Sequence, residues 1–185
     1  MKNKLILVIT IIIVIILSIF IYSNKTGKLE EKKSKNIISN KKAKDYQFDV
    51  FGSGELHCTG NAKASNVKVD IWYDVAYKDG YLTRLISHQG VTSINNSDIS
   101  EYVNAYNKLK DDYKGIKHYD IKVVTSNTST YIEQDINYSL VNYKDIIKVE
   151  GQDNQIFTPD GKVKLITWLN LGETFGTKCN LKTKI

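Results

Sequence analysis

Histidine, cysteine and proline are scarce in this 185-residue chain, which holds three, two and one of them. The histidines His57, His88 and His118 and the two cysteines show no close spacing of metal-ligand type, so no metal centre is expected. No glycine-rich phosphate loop, dinucleotide fingerprint or G-x-S-x-G elbow occurs, and no cofactor is expected. An excess of positive charge is missing from the part that folds. Residues 1–45 hold ten lysines against Glu30, Glu31 and Asp45, a net of +7. Residues 46–185 are left with 16 basic and 17 acidic side chains, a net of −1, which removes the electrostatic case for nucleic acid.

One long hydrophobic run is present. Leu5 to Tyr22 contains 18 residues without charge or proline. As a helix it spans roughly 27 Å, the thickness of a bilayer core. Tyr22 stands where an interfacial aromatic belongs. A cleaved signal would end in an A-x-A-like pair, whereas Ile21-Tyr22-Ser23-Asn24-Lys25 offers none. No cysteine directly follows, which excludes lipid attachment there. The organisation expected is a tail and transmembrane anchor over 1–22, a lysine-rich tether over 23–45 and a domain over 46–185. Counted literally, the lysines after the span place the domain in the cytoplasm. The short tail carrying Lys2 and Lys4 has the form of an export signal, and large domains translocate largely regardless of charge. The domain is therefore expected outside a single-pass membrane anchor. Its partners are the membrane through 5–22 and a wall polymer or another membrane protein.

Within the domain, Phe48 to Ala62 reads as a short strand and turn carrying His57 and Cys58. Val67, Val69, Ile71, Tyr73, Val75 and Tyr77 then take every second position, a half-buried strand. Lys78-Asp79-Gly80 turns the chain, and Tyr81 to about Val91 returns. A three-residue loop sets Asp74 opposite Arg84, Asp70 opposite His88 and Trp72 opposite Ile86. A two-residue Asp-Gly loop shifts those pairs. Asn95-Asn96-Ser97-Asp98 offers helix N-caps, with Glu101 three residues after Asp98; Ile99, Val103, Tyr106, Leu109 and Tyr113 recur at helical spacing, and Gly115 ends the helix. His118–Thr125 and Thr130–Tyr138 form a second hairpin. Leu140–Val149 is a short helix or turn. Leu165, Trp168, Leu169 and Phe175 suit a second amphipathic helix with Gly176 as its cap. The fold class expected is α+β, an antiparallel sheet with two helices packed on one face.

This order resembles the YehR-like small bacterial lipoproteins of the DUF1307 type. The resembling residues are VKVDIWYDVAYKDGYLTRL, the helix end DDYKGIKHYDIKV, the second hairpin and the late helix, over roughly 58–179. The family's lipid-modified cysteine is absent, and a hydrophobic helix stands in its place. The resemblance implies an envelope-attached α+β domain and supplies no site residues.

Catalytic readings are weak. His57 and Cys58, as strand neighbours, point to opposite faces and cannot form a nucleophile–base pair. His88 or His118 could approach Cys58 only in three dimensions. Asp70 and Asp74 could flank a sugar bond, but a solvated strand face explains them more simply. Cys58 and Cys179, 121 positions apart, bracket the domain. In an oxidising compartment they join its first strand to its tail; in the cytosol they are free buried thiols. Tyrosines 73, 77, 106, 113, 119 and 138 fall on inward faces, while Trp72, Tyr81, Tyr102 and Tyr131 are expected nearer the surface. The candidate ligand surface is Trp72, Tyr81 and His88. The sequence thus points to a non-catalytic binding or accessory module of the envelope. An envelope hydrolase and a structural or signalling partner of another membrane protein are the alternatives.

Overall fold

A computed structural model of the chain describes residues 41–64, 66–151, 156–174 and 176–182. The expected anchor and most of the tether lie outside the described residues. Among the described residues no helix is long and apolar enough to cross a membrane.

Six strands build one antiparallel sheet: β1 Gly54–Ala64, β2 Val67–Lys78, β3 Tyr81–Ser93, β4 Tyr119–Thr125, β5 Ser129–Ile136 and β6 Lys178–Leu181. Their order is β4-β5-β3-β2-β1-β6. Among the described residues three α-helices, α1 Asn96–Asp112, α2 Tyr143–Glu150 and α3 Leu165–Thr174, complete the domain, with a single 3-10 turn at Ala43–Asp45 before the sheet. The alternation read in β2 is the alternation observed, with Val69, Ile71, Tyr73, Val75 and Tyr77 all buried. Those residues join Leu56, Leu85, Val91, Ile132 and Ile136 from the other strands in one core. Ile99, Tyr102, Tyr106 and Leu109 of α1, Ile146 of α2, and Leu165, Trp168 and Leu169 of α3 close it.

Several expectations need correcting. The helices number three rather than two, because Asn142 caps a further short helix by accepting the Lys144 N–H at 3.2 Å. That helix buries Ile146 and Glu150. Of the N-caps offered by Asn95–Asp98, Asn95 is the one used, while Asp98 sits in the first turn and accepts from Ser93 Oγ at 3.0 Å. The first strand starts at Gly54 and continues through Gly60. A Cβ at Gly60 would approach the Thr177 methyl to 3.0 Å, so a side chain there would crowd the approach to β6. Tyr102 is buried at 3 % exposure. Phe175 lies outside the described residues.

The β2–β3 hairpin settles differently from the register with the three-residue loop. Asp79 and Gly80 form a two-residue loop, both at positive φ, with Lys78 opposite Tyr81 and Tyr77 opposite Leu82. The register then shifts between Ala76 and Tyr77, so that Ala76 faces Arg84 and Thr83 is the extra residue. Trp72 therefore lies opposite His88, Asp74 opposite Ile86 and Asp70 opposite Gly90. A bulge of one residue exchanges the two faces of everything beyond it. Had the register continued from the loop unchanged, the β3 partner of Trp72 would have been Ser87, now a core residue at 6 % exposure.

Candidate ligand-binding face

All three helices contribute to the core on one side of the sheet. The even-numbered residues of β2, those of β3 from Arg84 onward, beyond the bulge, and the odd-numbered residues of β1 and β5 look the other way. On that open side four rings form a diagonal row across four neighbouring strands. Trp72 and His88 are parallel within 3°, their centroids 5.2 Å apart. His57 lies 6.3 Å beyond Trp72, and Tyr131 lies 4.9 Å beyond His88. Because Trp72 and His88 stack on each other, each covers one face of its neighbour, and the row is a ridge rather than a flat platform.

Charged groups hold one end of the ridge in place and surround the rest. His57 Nδ1 donates to Asp74 Oδ1 at 2.7 Å, and Lys182 Nζ donates to Asp74 Oδ2 at 2.9 Å. Partial burial pushes the Asp74 carboxyl up, but the hydrogen bonds from His57 and Lys182 outweigh it and hold it below the usual carboxylate range. At the other end His88 Nδ1 stands 3.5 Å from Glu133 Oε1, too far for a good hydrogen bond, and Lys122 Nζ is 3.8 Å from Glu133 Oε2. Arg84 donates to both carboxylate oxygens of Asp135, at 2.9 and 2.5 Å. Lys68 pairs with Asp70 at 2.8 Å. Beside the ridge is a depression of 210 Å³ lined by Glu55, Asp74, Arg84, Ile86 and Lys182. Acids and bases alternate on this face, so it carries no strong field of one sign.

Of the three residues expected to form a ligand surface, Trp72 and His88 come together. Tyr81 sits apart at the hairpin end, bridged to Lys164 and covered by Lys162 Nζ at 5.2 Å from its ring. His118 is also remote, on exposed backbone at φ 66° before β4. Tyr131 and Asp74 were expected at the surface and do lie on this face, but that they and His57 adjoin Trp72 and His88 was not foreseen. Their alternation was visible, but their neighbours depend on strand order. Asp70 and Asp74 do not act as a pair, since each is tied to its own cation. Among the described residues no group of three or more metal-ligating side chains converges.

On the covered side of β1, directly opposite each other in the register, are Cys58 and Cys179. They form a disulfide, with Cα atoms 3.9 Å apart. The bond lies on the face of β1 opposite to His57. Cys58 is wholly buried and has no thiol to offer that histidine.

No family model matches the chain, and no curated protein matches it. Among solved structures it is similar to the NMR structure of the E. coli YehR protein, at 15 % identity and a TM-score of 0.49, over 72 % of this chain and 96 % of that one. It is also similar to the NMR structure of a protein from Streptococcus pneumoniae TIGR4, at 12 % identity and a TM-score of 0.38, over 51 % of this chain and 66 % of that one. Neither likeness transfers a site residue or an activity.

Proposed function

We propose that this chain is a non-catalytic binding or accessory module of the bacterial cell envelope, held by a single membrane span over residues 5–22, with its domain outside. Its ligand is a wall polymer or the outer part of another membrane protein, and it does not bind nucleic acid. On this reading it is a counterpart of the YehR-like lipoproteins of the DUF1307 type, with a hydrophobic helix in place of a lipid. The observation that carries the proposal is the ridge His57–Trp72–His88–Tyr131 on the uncovered side of the sheet. Large rings left at a solvent-facing surface, stacked on one another and hydrogen-bonded at the His57 end, are ordered before a ligand arrives, which lowers the entropy cost of binding. The disulfide supports an oxidising compartment.

The test is co-sedimentation of the detergent-solubilised full chain with purified insoluble wall polymer, compared between the natural sequence and Trp72→Ala. Retention should fall at least tenfold. Equal retention of the two proteins would remove the ridge from the function.

A second reading, hydrolysis, has one observation in its favour, the His57–Asp74 pair at 2.7 Å. A carboxylate on Nδ1 orients an imidazole as a general base. The depression next to it is not lined by His57, and the neighbouring cysteine is oxidised on the far face. Release of soluble fragments from the same polymer, lost in His57→Gln, would favour the enzyme over the module.

A further inference from the structure

The chain leaves α3 through Gly176, at φ 82°, and enters β6. This strand has different ties on its two sides. On the covered side Cys179 is bonded to Cys58. Just past its end Lys182 donates its backbone N–H to Glu55 O at 2.9 Å and its ammonium to Asp74 on the ligand face. The strand has four residues and pairs with Leu56–Thr59 alone. So short an edge strand holds few ladder bonds of its own, and the crosslink is its strongest tie. The two cysteine residues differ in burial. Cys58 is fully buried under the helices, whereas Cys179 is only partly buried at the sheet edge. Thiol–disulfide exchange begins at whichever sulfur an incoming thiolate can reach.

We propose that Cys179 is a thiol-exchange site for a surface-exposed protein dithiol, and that exchange there releases β6 and withdraws Lys182 from Asp74. In the first step a thiolate of the dithiol attacks Cys179 Sγ. The Cys58–Cys179 bond breaks, and Cys58 leaves as a thiolate that takes up a proton. The second thiol of the reductant then attacks its own sulfur in the mixed disulfide, freeing Cys179, which is protonated in turn. Two electrons and two protons reach the cysteines, and the dithiol becomes a disulfide. With the bond closed, Asp74 is shared by His57 and Lys182. With it open, Asp74 is left to His57, and the outer edge of β1 is uncovered. The consequence for ligand binding rests on the function proposed above; the exchange and the strand release do not.

The oxidised full chain is exposed briefly to glutathione, quenched with acid, alkylated and mapped by mass spectrometry. The mixed disulfide should lie on Cys179 at least tenfold over Cys58; attachment to Cys58, or to both equally, overturns the site. The Asp74 carboxyl is then titrated by NMR in the oxidised chain, in the chain reduced with dithiothreitol, and in oxidised Lys182→Ala. Reduction and Lys182→Ala should each move its midpoint upward, and only reduction should speed hydrogen exchange at Leu56–Thr59. An unchanged midpoint with β6 still protected after reduction overturns the release. Loss of amide dispersion throughout the reduced domain does so too, by making the bond a purely structural one. None of these readouts uses a ligand, so a failed sedimentation assay and a failed exchange test remain distinct results.

Discussion

The two faces of the sheet share the same strands and differ in what covers them. The covered face, which alternation marks as apolar, contains a chain of polar contacts. Ser87 Oγ donates to Gln134 Oε1 at 3.0 Å, and Gln134 Nε2 donates to Tyr119 OH at 3.0 Å. Tyr113, stacked on Tyr119 at 4.6 Å, donates to Glu150 Oε1 at 2.6 Å. The open face, which alternation marks as polar, carries Trp72 and Tyr131. Burial therefore follows cover rather than residue type. A polar group can be enclosed when its hydrogen bonds are made, and an aromatic ring can remain at the surface when neighbouring rings and ion pairs fix it.

The largest difference should appear between the two tryptophans. Trp168 is 1 % exposed and meets Tyr73 edge-on at 5.4 Å, so Trp168→Ala should cost about 3–5 kcal/mol in denaturant unfolding. Trp72→Ala should cost roughly 1 kcal/mol or less, as expected of a ring outside the core. Equal losses would mean that the open face is core in disguise.

Next comes the seam at β1. Replacing Cys58 and Cys179 together by serine should lower stability by about 2–4 kcal/mol, a loss located in the unfolded chain's freedom. Far-UV circular dichroism of the folded variant should be unchanged. A loss of strand signal at low temperature would show that β6 is needed to form the sheet.

The two faces should also respond to opposite ends of the pH scale. On the covered face, burial pushes Tyr73 far above its ordinary value of about 10, and burial with Tyr102 nearby does the same to Tyr106. A pKa raised in the folded state contributes stability that is present below the unfolded value and is lost as pH rises through the folded one. Stability should therefore fall above about pH 10, and Tyr73→Phe should flatten that fall. No change of slope in Tyr73→Phe would mean the ring is not desolvated.

The smallest effect belongs to the open face. The folded Asp74 pKa is depressed, so its contribution is present above the unfolded value of about 3.9 and disappears as pH falls through the folded one. The group is partly solvated, so the loss is modest. Asp74→Asn should remove this acid-side slope while leaving the alkaline limb intact, measured by thermal melts at stepped pH. A variant with the same acid slope would assign it to other carboxylates.

Much of this was legible without coordinates. The period of two in β2, the Asp79-Gly80 turn and the stripe of α1 are local patterns, each decided within a few residues. Asn142 and the short helix after it stayed ambiguous because an eight-residue helix has little pattern to show, and its stability comes from docking Ile146. Tyr102 looked like a surface ring because it lies off the apolar stripe read for α1. It is buried beside Tyr106, with ring centroids 6.2 Å apart.

By itself the sequence determined the hydrophobic run at 5–22, the concentration of positive charge before residue 46, the α+β class and the position of one cysteine near each end of the domain. Those properties depend on composition and on periods shorter than a helical turn or two. Tertiary structure alone decided that Trp72 meets His88, that Asp74 is shared by His57 and Lys182, and that Cys58 faces Cys179 across an edge. The reason is register. The pairing of β3 on β2 turns on one bulged residue, Thr83, whose carbonyl accepts the N–H of Ser139, 56 positions away, at 3.3 Å. The joining of β6 to β1 spans 121 positions. Side-chain alternation carries no record of which strand will lie alongside, and a shift of one residue exchanges the two faces.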